Sequence, residues 1–387
     1  MFSVASVLFG WHAGGGFATG NQAHQFYIIS DIWGLASALL AILLLTLTIR
    51  QALIMYNQRG LTTYRQLFET LYHPLDKLEW GFEIYYYIMV LMATSSSIAG
   101  AGTLFQDVTH IPYGLAVLIV GILLLFLTMF GADLVRRASS VMSILILICA
   151  LSIFVYGVVI RWDSILLLFS APADYATIPN AILKSFQYAG FQCASISTMI
   201  ACGTVLTSKK QCAGSMWISF VMNSAALCLS VLMLLAWEPL YTAIEDGTTL
   251  PTLTICKAMG IQGLIWAYNI CLFLCFISTG VSAVFGVVNR FEKLPTLQAK
   301  LPSDNLRRGI LAFLVMGLSM VISLAGLTNI IKYGYGYCGY LAIAIIIVPF
   351  LTVGVVKNRR FLMEHPEYRG VSGLKARRMA AASKKEV

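Results

Sequence analysis

The stretch His12-Ala13-Gly14-Gly15-Gly16-Phe17-Ala18-Thr19-Gly20 interrupts an apolar run that begins at Phe2 and ends near Ile29. Three adjacent glycines remove side-chain bulk and admit φ values closed to other residues. In hydrocarbon an unpaired backbone N–H or C=O costs several kcal/mol, so a broken membrane helix persists where the freed groups line a protein-enclosed or watery cavity. A second glycine-bearing stretch, Tyr188-Ala189-Gly190-Phe191-Gln192, stands in another apolar run about half a chain later. Two such breaks point to one binding site shared by two structural repeats. Each also has a plainer reading. Glycine runs let membrane helices pack closely, and Gly190 taken alone is equally a kink.

Composition places these runs in a bilayer. The 387 residues are 59% hydrophobic and 11% charged, with a mean hydropathy of +0.81, whereas soluble domains carry roughly 25% charged residues. No basic stretch and no small-residue cleavage pattern marks the N-terminus as a removable signal. Apolar runs of about 20 residues predict ten spans, near 2–29, 33–57, 80–104, 113–132, 138–160, 178–205, 212–236, 263–288, 308–326 and 333–356. The first and sixth are the broken ones. An even number puts both termini on one side, and 22 of the 26 Lys and Arg fall in the termini-side segments. The positive-inside rule therefore predicts cytoplasmic termini in a plasma-membrane protein. Residues 1–356 form one membrane domain, with repeats at about 1–160 and 178–356, and 357–387 a basic tail. The net charge of +9 then faces anionic membrane lipids, and no folded basic domain for nucleic acid is present. Nine scattered cysteines without a CxxC pair read as small buried hydrophobes.

Five spans per repeat make the second copy inverted. The half-helix after the first break, Thr19 to Ile29, is predicted to turn free N–H groups and the positive end of its dipole to the membrane midplane, which suits a carboxylate. The half-helix before it ends near Gly10 to Ala13 in free carbonyls, which suit a cation. Ser278 and Thr279 in the eighth span complete an all-oxygen cage for a hard monovalent cation, although such hydroxyls also bond their own helix. His12 accepts a proton, contacts substrate or bonds a freed carbonyl. Tyr188, Phe191 and Gln192 would shape the apolar side of a pocket, with Gly190 between them, and Tyr87 and Ser96 would face it from the third span. Residues 58–79 read as an amphipathic interfacial helix, and the external segments 161–179 and 237–262 as lids or plain connections.

The run Gly14-Gly15-Gly16-Phe17-Ala18-Thr19-Gly20-Asn21-Gln22 resembles the GAGFASGQE signature of YkvI-type amino-acid permeases. Ala99-Gly100-Ala101-Gly102 and Leu327 to Tyr335, continued by Gly339-Tyr340, are similar to that family's third and tenth spans. The family belongs to the amino acid, polyamine and organocation superfamily. The resemblance implies an all-α LeuT-like fold of ten transmembrane helices in a five-plus-five inverted repeat, alternating access, and a substrate held between spans 1, 3, 6 and 8. Carboxylate-binding amides fall at Gly14, Gly15 and Gly16. A sodium site falls at the Gly10, Ala13 and Cys275 carbonyls with Ser278 and Thr279. Two positions depart from the family: Gln22 stands for its Glu, and Phe17 occupies the place where relatives with a second sodium site carry Asn. The expected function is uptake of an amino acid or related small carboxylate with one coupling ion, Na⁺. The rivals are a proton carried by His12, a channel or a non-transporting sensor. No cluster suited to catalysis or to a bound cofactor is legible, so the chain reads as a non-enzyme.

Overall fold

The structure is a computed structural model and describes residues 1–12, 14–130, 132–206, 208–291, 295–300 and 303–365. Among them every regular element is helical. The first span is three short pieces, α1 (Phe2–His12), α2 (Gly15–Ala18) and α3 (Asn21–Phe26). Next come α4 (Trp33–Gln58), α5 (Tyr64–Tyr72), α6 (Glu79–Thr109), α7 (Tyr113–Phe130), α8 (Ala132–Ile160) and α9 (Trp162–Ser170). The second half runs α10 (Ile178–Gln192), α11 (Ile196–Cys202), α12 (Lys209–Thr242), α13 (Pro251–Met259), α14 (Gln262–Phe291), α15 (Pro295–Lys300) and α16 (Asp304–Ser323). It closes with α17 (Leu327–Glu364).

Six helices are long and apolar enough to cross a bilayer by length and composition, and the bent pair Ile144–Ile160 and Trp162–Ser170, 68° apart, makes a seventh. The protein is thus a multi-pass membrane protein. The two shorter apolar helices, Phe2–His12 and Tyr113–Met129, and the α10–α11 segment occupy the remaining predicted spans. Helix α14 packs against α6 and α8, and α10 lies against α4 and α17.

One predicted break is absent. Helix α10 runs unbroken through Gly190, and the only irregularity nearby is a tight 3₁₀ turn at Cys193–Ser195. Gly190 meets α17 instead: a Cβ placed on it would stand 2.4 Å from the Gly339 carbonyl oxygen, and one on Gly339 would stand 2.2 Å from the Gln187 carbonyl oxygen. The glycines allow backbone-to-backbone contact, the close-packing role of small residues in membrane helices.

Helix α5 also differs from expectation. Thr63 caps it by accepting from the Gln66 N–H at 3.2 Å, and its apolar face, Leu67, Phe68 and Leu71, is buried. That face meets protein as well as any interface, because Phe68 stacks on Phe82 at 3.8 Å and meets Phe350 edge-on at 5.7 Å, while Leu75 is exposed. Pro349 in α17 has no N–H to give the Ile345 carbonyl four residues earlier. The Tyr72 hydroxyl donates to that carbonyl instead, and π-type turns flank the proline at Ile343–Ile347 and Phe350–Gly354.

Lys357 of α17 completes the docking by donating to the Thr70, Leu71 and His73 carbonyls at 3.0, 3.1 and 2.7 Å. Thr70 and Leu71 are in the last turn of α5 and His73 caps it, so these carbonyls stand at the negative end of its dipole without intrahelical donors. Arg59 reaches the Asn358 side chain and the Lys357 carbonyl at 2.8 and 2.9 Å. It also lies over the Phe361 ring at 4.4 Å. Burial lowers the Arg59 guanidinium to about 10, which leaves it charged at neutral pH. Replacing Lys357 by Met keeps the aliphatic stem and removes the donors. We expect a loss of about 2 kcal/mol, read as a lower melting temperature of the purified protein; an unchanged value would show that water caps α5 equally well.

Candidate substrate site at the broken first helix

The first span breaks twice. One interruption separates α1 from α2, with Gly14 extended at φ −69°, ψ −179°. The other is at Thr19-Gly20, where Gly20 adopts φ +80°, a left-handed conformation that favours glycine. The predicted half-helix from Thr19 to Ile29 is therefore shorter, Asn21–Phe26 followed by a 3₁₀ turn at Ile28–Ser30, and a separate single turn, Gly15–Ala18, precedes it.

Each carbonyl freed at the second interruption finds a donor. Thr19 Oγ1 donates to the Gly16 carbonyl at 2.8 Å, the Tyr268 hydroxyl of α14 to that of Ala18 at 2.5 Å, and the Thr252 N–H of α13 to that of Thr19 at 3.0 Å. Asn21 Nδ2 ties the same region outward to the Thr248 and Thr249 carbonyls at 3.1 and 3.0 Å and to Thr328 Oγ1 at 2.9 Å. The segment at 237–262, read from sequence as a lid or a connection, closes onto the break by these bonds. The earlier segment does not share that pattern: α9 packs on α8 and α12 with only Ile165 of its residues buried.

At the first interruption polar side chains converge. His12, the last residue of α1, is buried, and its Nε2 lies 2.7 Å from the Tyr188 hydroxyl of α10. That hydroxyl is 3.4 Å from Gln22 Oε1 on α3. Asn223 of α12 stands beside the imidazole, and His12 Nδ1 and Asn223 Oδ1 are both buried without a hydrogen-bond partner. The Asn223 amide nitrogen is committed to the Ser219 carbonyl and hydroxyl at 2.8 and 3.0 Å. Four pieces of chain thus bring one group of buried polar side chains together, three of them joined by hydrogen bonds. Aromatic rings wall it: Phe17 lies 4.9 Å from His12 and edge-on to Phe154 at 5.8 Å. Phe26, Tyr27 and Phe191 surround the Tyr188 ring at 5.5, 5.1 and 4.8 Å.

The glycines face filled space. A Cβ on Gly15 would fall 2.7 Å from the Phe276 ring and one on Gly16 2.3 Å from Gln22 Nε2; the same Phe276 ring would meet a Cβ on Gly100 of α6 at 2.2 Å. Phe276 is therefore a wedge between the broken helix and α6.

The other predicted residues scatter. Phe191 stacks on Tyr335 at 5.0 Å, and Ser96 shares a 2.8 Å hydrogen bond with the Tyr335 hydroxyl, so these two extend the wall toward α17. Gln192 is buried one turn after Tyr188 in α10. The Gly190 and Phe191 carbonyls accept from Tyr85 at 2.8 and 2.9 Å, so of the aromatics in the third span Tyr85 is the one joined to α10. Tyr87 pairs instead with Glu83 and lies 5.1 Å from the Phe291 ring, near the start of α6. Of the predicted cation ligands, Ala13 lies outside the described residues, Gly10 is on an exposed face of α1, Cys275 is buried, and Thr279 is half-buried one turn after it in α14. Ser278 is buried. Among the described residues no group of three His, Cys, Asp or Glu could hold a metal ion. Asn223, Tyr268 and Phe276 were missed from sequence. A polar Asn inside the apolar run 212–236 is the signal that marks the first; the other two carry none, since their partners are glycine and backbone.

No protein-family model matches the chain, and no curated protein matches it. Among solved structures it is similar to two mutants of the Eremococcus coleocola manganese transporter. A glutamate-to-glutamine mutant matches at 16% identity over 92% of this chain and 94% of that one, with a TM-score of 0.39. The glutamate-to-alanine mutant matches at 16% over 94% and 87%, with a TM-score of 0.38. The same transporter in complex with an aromatic bis-isothiourea compound matches at 16% over 97% and 74%, with a TM-score of 0.28. Scores this low leave the cargo and the fold family of this chain to its own residues.

Proposed function

We propose that the protein is a secondary transporter that moves an amino acid or related small carboxylate by alternating access, coupled to one Na⁺. The observation that carries this reading is the twice-interrupted first span with the His12–Tyr188–Gln22–Asn223 cluster beside it. Polar side chains from four helical pieces in an apolar body cost free energy to bury, and a substrate that uses them explains why they are there. The Gly15 and Gly16 N–H groups stand at the open end of α2 and would bind the carboxylate with those of Gly14, while Tyr188 and Phe191 line the apolar side. The count of ten apolar helical segments supports the five-plus-five inverted repeat, and the distribution of Lys and Arg supports the cytoplasmic termini. The Na⁺ ligands proposed are the Gly10, Ala13 and Cys275 carbonyls with Ser278 and Thr279.

Proton coupling is a second reading, favoured by the imidazole of His12 at the centre of the buried cluster. A melting-temperature screen against amino acids, with and without Na⁺, identifies the substrate, because a ligand of the native state raises apparent stability. Uptake of that substrate into proteoliposomes is then expected to fall by about tenfold or more when choline replaces Na⁺ at constant pH, as for loss of a ligand worth at least ~1.4 kcal/mol. Undiminished uptake in choline would sink the sodium version and leave the proton one.

A further inference from the structure

Away from the broken helix, where α4 ends, α12 begins and α17 ends, lies a cavity of about 790 Å³ lined by Arg50, Ser208, Lys209, Lys210, Arg359 and the apolar group Ala213, Leu362 and Met363. The charge asymmetry of the connecting segments assigns this end to the cytoplasm. Four cationic side chains from three helices line one cavity, and among the described residues no carboxylate lines it with them. Like charges gathered this way repel unless an anion or solvent offsets them. Arg50 is the telling member: its Nε is buried with no hydrogen-bond partner, a donor withdrawn from water at the cavity wall. The 34-residue α12 adds the positive end of its dipole, and Ser208 caps it by accepting from the Gln211 N–H at 3.2 Å, which leaves the Ser208 hydroxyl hydrogen for another acceptor.

The geometry points to a binding site for a phosphate group, carried by an anionic phospholipid. Guanidinium and ammonium donors around a helix N-terminus match phosphate oxygens. The apolar residues Ala213, Leu362 and Met363 give the glycerol and upper acyl chain a surface that a free ion does not need, and basic pockets between helices at the cytoplasmic side are suited to lipid head groups. This inference is independent of the transported substrate.

The test uses the full-length protein in detergent, scored by native mass spectrometry for bound lipid and by melting temperature. Dioleoyl phosphatidic acid should give a one-lipid adduct and a raised melting temperature, and dioleoyl phosphatidylcholine neither. In the R50Q/K209Q/K210Q/R359Q variant the phosphatidic acid adduct should weaken by about tenfold or more. The K210Q/R359Q variant changes only exposed side chains, so it should melt like wild type in phosphatidylcholine and still show a partial loss of the adduct. A separate arm with millimolar inorganic phosphate distinguishes the source: an equal stabilisation by phosphate alone keeps the phosphate site and reassigns it to a soluble ligand. Wild-type adduct levels in both variants, or equal binding of phosphatidylcholine, would overturn the proposal.

Discussion

His12→Ala is expected to reduce substrate uptake by about tenfold to a hundredfold, because it leaves the buried Tyr188 hydroxyl without its 2.7 Å partner, at about 1–3 kcal/mol for an unsatisfied group, and removes a ring that packs on Phe17. His12 Nε2 is the nearest polar atom to the Tyr188 hydroxyl, at 2.7 Å against 3.4 Å for Gln22 Oε1. Loss of the imidazole thus disconnects α1 from α10 at the break. Tyr188→Phe keeps the ring among Phe26, Tyr27 and Phe191 and removes only the hydroxyl, so it separates hydrogen bonding from packing. If the cluster serves transport, both variants lose uptake while melting near the wild-type temperature, and substrate no longer stabilises them. If it serves only folding, both melt early and the surviving protein transports normally. Normal uptake by a stable His12→Ala protein would remove His12 from the site.

The largest effect on stability is expected at Gly190. An alanine there places its Cβ 2.4 Å from the Gly339 carbonyl oxygen and 3.0 Å from the Gly339 Cα. The obstacle is backbone on the neighbouring helix, so no side-chain rotation relieves it and α10 must separate from α17. Overpacking of this kind costs about 3 kcal/mol, enough to lower the melting temperature by several degrees. Gly286→Ala in α14 is the matched control, since its Cβ would meet nothing within 4 Å. A Gly190→Ala protein as stable as that control would show that the two helices are not held this close.

These two residues divide what was legible from what was not. The run from His12 to Gly20 was readable as a break, because consecutive glycines inside an apolar run weaken a helix wherever they occur. Gly190 carries a weaker local signature, one glycine among aromatics, and the helix continues through it. The difference lies in Gly339, 149 residues away in sequence, whose carbonyl occupies the space a side chain would need. Similarly, the periodicity of Tyr64, Leu67, Phe68 and Leu71 established that α5 is amphipathic, but Phe82, Phe350 and Lys357 decided that it docks on protein.

By itself the sequence determined the membrane class, the helical content, the placement of the apolar segments and the position of the first break, since each follows from hydropathy and backbone freedom summed over neighbouring residues. The tertiary structure decided which polar groups meet. The pairing of His12 with Tyr188, the Phe276 wedge against Gly15 and Gly100, and the cationic cavity at Arg50 all join residues remote in the chain. Hydrogen bonds and close packing act over a few ångströms of space, and distance along a sequence carries no record of them.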